Sequence, residues 1–88
     1  MQIPIENVIK NLNEPAWLIL ALIAERPAIT LKEIRQETSY SQEKAYKVLS
    51  LLEGGVLIAS ERQEDARSIG YVLTKYGQYA LESKNSLS

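Results

Sequence analysis

An 88-residue chain with a net charge of -1, 45% hydrophobic and 24% charged, has room for one domain around one modest core. It contains no Cys and no His, which excludes disulfides, thiol catalysis and thiolate or imidazole metal sites and points to a cytoplasmic setting. Asp65 is the sole Asp, the glutamates are scattered at helix-surface spacings, and the pair Gly54 and Gly55 matches neither phosphate-binding loop; no catalytic residue, cofactor or metal is expected, and the chain does not read as an enzyme.

The longest apolar run, Ala16 to Ala24, is far short of the ~18 residues of a membrane span. No basic stretch followed by an apolar one follows Met1, so neither a signal peptide nor a membrane partner is expected.

In chain order, Ile5, Val8, Ile9 and Leu12 take helical spacing and predict a short amphipathic helix over 4–12, with Pro4 in its first turn. Asn13 is placed to cap a second helix over 14–25 that ends before Pro27. Its apolar residues run all the way round, which predicts burial on every side and, in so small a chain, either a core helix with one face partly open or a face spent on a second copy.

"AIT" (28–30) predicts a short edge strand, and Thr30 with Glu33 forms a T-x-x-E capping box opening a helix over 31–38. Ser41 caps the next, over 42–53, in which Ala45, Val48, Leu49 and Leu52 mark the buried stripe and Gly54 and Gly55 the end. Two helices joined by a short turn, the second with a polar outward face, make a helix-turn-helix candidate.

From residue 56 to 73 the period changes to that of strands, and "VLIASER" and "SIGYVL" predict a hairpin whose polar tip lies near Gln63 to Ala66. Thr74 caps a last helix over 75–84, with Tyr76, Tyr79 and Ala80 expected on its packing side. The order of elements is that of a winged helix-turn-helix, α+β but mostly α: a three-helix core, a two-stranded wing and a C-terminal helix in one domain.

"LEGGVLI" (52–58), Asp65-x-Arg67 and "YVLTKYGQYAL" (71–81) resemble the MarR type of winged-helix transcription regulators. There a recognition helix ends in Leu-Glu-x-x-Gly-Leu-Ile, the wing carries Asp-x-Arg, and Leu-Thr-x-x-Gly opens the following helix. The resemblance covers about residues 14–82. It departs in two places: the turn glycine of the family falls on Val56, and the long flanking helices that form the family's dimer have no counterpart.

The resemblance implies double-stranded DNA as partner, recognition by the exposed residues of the 42–53 helix, and groove or phosphate contact by Arg67 with Asp65 positioning it. The residue chemistry fits these roles. Ser41, Gln42, Glu43 and Lys44 occupy the cap and first turn, which meets base edges; Tyr46 and Lys47 lie one turn on and suit phosphates; Arg62 and Arg67 stand at the shoulders of the wing.

Charge counts against this. From 32 to 67 there are six basic residues and seven acidic ones, so a monomer would bind duplex weakly. A homodimer doubles the contacts; a protein-interaction module with a protein partner in a larger assembly remains the second reading. Glu43 with Lys47, and Asp65 with Arg67, are equally open to a plain surface-pair reading.

Overall fold

The computed structural model describes residues 9–62 and 69–87. The first part of the expected 4–12 helix and the wing tip with Asp65 and Arg67 lie outside the described residues. The elements are α1 (Glu14–Glu25), β1 (Ile29–Thr30), α2 (Leu31–Thr38), α3 (Gln42–Gly54), β2 (Ile58–Arg62), β3 (Ile69–Leu73) and α4 (Lys75–Leu87). The three strands form one antiparallel sheet in the order β1-β3-β2.

Each helix start is a local bond that the sequence encodes. The Asn13 side chain accepts from the Ala16 amide at 3.0 Å, and Ser41 Oγ accepts from the Lys44 amide at 3.2 Å. The capping box closes both ways: Glu33 N–H donates to Thr30 Oγ1 at 3.3 Å and Thr30 N–H donates to Glu33 Oε1 at 3.1 Å.

Packing selects one face of each helix. Ala16, Ile19, Leu20 and Ile23 of α1 are buried against α3, the sheet and α4. The rest of α1 is not enclosed: Leu18, Ala21 and Ala24 face solvent, because the described elements packed on α1 lie on its other side. Trp17 is half-buried, with the Lys84 ammonium 4.7 Å from its ring centroid.

The end of α3 is a Schellman motif without glycine at its left-handed position. Leu57 N–H reaches Leu52 O and Val56 N–H reaches Glu53 O, both at 3.0 Å. Val56 takes φ 56, whereas no described glycine has positive φ. The stop therefore falls past Gly54 and Gly55, on a β-branched residue that is 55% exposed and for which this backbone is strained.

α4 is fastened to that turn. Thr74 N–H donates to Leu57 O at 3.1 Å, its hydroxyl donates to Val56 O, and the same hydroxyl accepts from Gly77 N–H at 3.2 Å. A Cβ on Gly77 would stand 2.1 Å from Leu57 O, so only glycine permits this approach. The close contact turns Gly77 and Ala80 inward and leaves Tyr76 and Tyr79 43% and 45% exposed. That corrects the expected packing side, of which Ala80 alone is buried. The helix also runs on to Leu87, past the expected 84.

Two expectations follow. Val56→Gly should raise stability by about 1 kcal/mol, a Tm gain of several degrees, and Gly77→Ala should lower it by about 1–3 kcal/mol; thermal melts of both variants check the pair. Thr30's amide and hydroxyl, helped by the Arg26 guanidinium, hold the Glu33 carboxyl below its usual 4.5. Its contribution is thus complete above that value and lost as pH falls through the lower folded value. Glu33→Gln should lower Tm at neutral pH and shrink the loss of Tm on acidification below about pH 5; identical acid limbs in the two proteins would show that the box carries no such linkage.

Candidate nucleic-acid interface

With Ala45, Val48, Leu49 and Leu52 inward, 100° per residue puts Glu43, Lys47 and Ser50 on the outermost ridge of α3. Its two flanks differ. On one, Gln42, Tyr46 and Glu53 turn toward the wing, where Glu53 Oε2 accepts from Ser60 Oγ at 3.0 Å. On the other, Lys44 lies 4.2 Å above the Tyr40 ring, beside the turn from α2.

α2 is divided in the same way. Lys32, Arg35 and Gln36 line a shallow surface depression with Ser39 and Tyr40, and Arg35 Nε–H donates to Tyr40 O at 3.4 Å. Glu33 and Glu37 occupy a separate stripe, held by Arg26 at 2.7 and 3.3 Å. A second groove brings Lys44 and Lys47 alongside Asn13 and Pro15 at the start of α1.

The wing completes the surface. The register pairs Ser60 with Tyr71 and Arg62 with Ile69, so these four share a face with the buried Ile58, while Glu61 points to the other face. Tyr71 is buried against the core, and burial first, then the nearby Tyr46 and Glu53, pushes its hydroxyl pKa up from 10.0. Tyr46 thus stands next to the floor of the corner between α3 and the wing.

Among the described residues, the charges separate in space. Of the described acidic residues from 32 to 62, Glu33 and Glu37 are tied to Arg26 and Glu61 points away. The surface that remains carries Lys32, Arg35, Lys44, Lys47 and Arg62 against Glu43 and Glu53. Glu43 itself is paired with Lys47 at 3.4 Å, an exposed i,i+4 pair of little energetic weight.

The structure gathers Ser41, Gln42, Glu43, Lys44, Tyr46 and Lys47 on α3 and its cap, with Arg62 joining from β2. Lys32, Arg35 and Ile69 belong to the same surface and were not among the residues singled out from sequence. The spacing of Lys32 and Arg35 was a usable signal for the first two; Ile69 needed the strand register.

No family model and no curated protein matches the chain. Solved structures do. TubR from Bacillus megaterium pBM400 superposes with a TM-score of 0.78 at 26% identity, over 89% of this chain and 91% of that one. A mutant of S. aureus MepR bound to an oligodeoxyribonucleotide gives 0.83 at 16% identity over 94% of this chain, and a MarR family transcription regulator gives 0.81 at 18% over 93%. The chain spans only 64% and 56% of those last two. The four helices and three-stranded antiparallel sheet of the described residues form a MarR-like winged helix-turn-helix.

Proposed function

We propose that the chain is a small DNA-binding transcription regulator that acts in the cytoplasm as a homodimer, laying α3 in the major groove and its wing on the minor groove or backbone. The observation that carries this reading is the segregation of charge: five cations share the surface formed by α2, α3 and the wing, while Arg26 holds two of the carboxylates elsewhere. The neighbours support it, one being bound to an oligodeoxyribonucleotide and another a transcription regulator. The chain is not an enzyme, a reading these regulators also support. Against a protein-interaction module stands the position of the described carboxylates, of which Glu33 and Glu37 are tied to Arg26.

Gln42 and Lys44, in the first turn of α3, are assigned to base edges, with Glu43 able to accept from a cytosine amino group. Lys32, Arg35 and Lys47 are assigned to phosphates. Arg62 is assigned to the wing contact, together with the Arg67 and Asp65 of the resemblance. A protein seated on an operator blocks it to others, so repression is the proposed sense.

Five cations on one copy give a weak, salt-sensitive complex. Two copies would set two recognition helices on successive major-groove turns, about 34 Å apart, and the open Leu18 and Ala21 face of α1 is the surface offered for pairing.

Selection from random duplexes at low salt should enrich an inverted repeat. In anisotropy titrations of that site, Lys47→Ala and Arg62→Ala should each weaken binding several-fold and reduce the salt slope by about one, with Tm unchanged; full affinity in both would mean that the wrong face has been assigned. Sedimentation at micromolar concentration should report about twice 9.9 kDa, and a monomer there would remove the dimer.

A further inference from the structure

The two flanks of α3 differ in chemistry as well as direction. The flank beside α2 is cationic, with Lys44 continuing the line of Lys32 and Arg35. The flank beside the wing, formed by Gln42, Tyr46 and Glu53, carries the single aromatic ring of α3: Tyr46 is 53% exposed, and Ile69, beside Arg62 on the wing face that looks toward it, is 49% exposed. No lysine of α3 lies on that side.

Tyr46 stands one turn after Gln42 on the same flank. The buried Tyr71 of the sheet lies near enough to feel its hydroxyl. A tyrosine ring has only two side-chain torsions to fix, so it can contact a ligand at low entropic cost. In the major groove the apolar group available to such a ring is the 5-methyl of thymine.

We propose that Tyr46 is a specificity-determining residue that reads thymine by packing its ring on the 5-methyl group, rather than holding a phosphate through its hydroxyl. The proposal rests on the DNA-binding reading and deepens it. Phosphate affinity then comes from the cationic flank, and thymine preference from the aromatic one.

The test replaces thymine by deoxyuridine, one position at a time, in the duplex enriched by selection, and titrates each by anisotropy. At the position under Tyr46, wild type should lose about fourfold in affinity, the equivalent of one buried methyl. Tyr46→Ala should bind the thymine and uracil duplexes equally. Tyr46→Phe, which keeps the ring and loses the hydroxyl, should retain both the discrimination and most of the affinity.

Equal binding of all uracil duplexes by wild type overturns the proposal, as does discrimination that survives in Tyr46→Ala. An affinity loss in Tyr46→Phe as large as in Tyr46→Ala would return the residue to a phosphate role. Failure to enrich any duplex removes the DNA reading itself, and this proposal with it.

Discussion

The structure depends on the join between the carbonyls of Val56 and Leu57 and the Thr74–Gly77 segment. At that join the recognition helix ends, the sheet begins and the last helix is fastened, through Thr74's amide, its hydroxyl and the bare α-carbon of Gly77. The pattern Leu-Thr-x-x-Gly has a physical reading in these contacts. Thr caps α4 and grips the turn at once, and Gly three residues later lets the helix close onto a carbonyl that a Cβ would strike. An element remote from the proposed DNA surface thereby sets the angle at which α3 leaves for the wing.

That angle decides what the surface can be. Leu57 and Ile58 are buried, so β2 must start into the core directly after the turn. Strand alternation then puts Ser60 and Arg62 on the face toward α3 and Glu61 on the other. The Glu53 to Ser60 bond spans the resulting corner. On the opposite edge, Arg26 gathers Glu33 and Glu37, and the capping box that fixes Glu33 also fixes where this pair of carboxylates points. Among the described residues, a chain of nearly balanced charge has a face with a basic excess because caps and strand register, rather than composition, decide where each charge lies.

Local chemistry was legible in the sequence. Asn13, Thr30, Ser41 and Thr74 cap the helices their spacing announced, and the stripe of α3 was readable from period alone. What was not legible depended on contacts between elements. Tyr76 and Tyr79 looked like a packing face because they are large and three apart, yet the neighbouring Leu57 carbonyl admits only the face of Gly77 and Ala80. The all-round apolar pattern of α1 left two readings of its open face, since a chain of 88 residues cannot surround a helix. The partition of charge was equally hidden, because Arg26 lies outside the window in which its partners were counted.

The position of the left-handed turn shows why glycines mislead here. Two glycines precede Val56; neither has positive φ, and a Cβ on Gly54 would meet open space, so neither is required by the turn geometry. The turn is placed by Leu52 and Leu57, both fully buried in the same core cluster and joined by the Schellman bond. Sliding the left-handed residue back onto Gly55 would make Leu51 and Val56 the facing pair and lift Leu57 from the core. Burying one leucine is worth about 1.5–3 kcal/mol, more than the about 1–2 kcal/mol of a left-handed residue with a Cβ. The core therefore outweighs the backbone, and Val56 carries the strain because the burial of Leu52 and Leu57 fixes the turn between them.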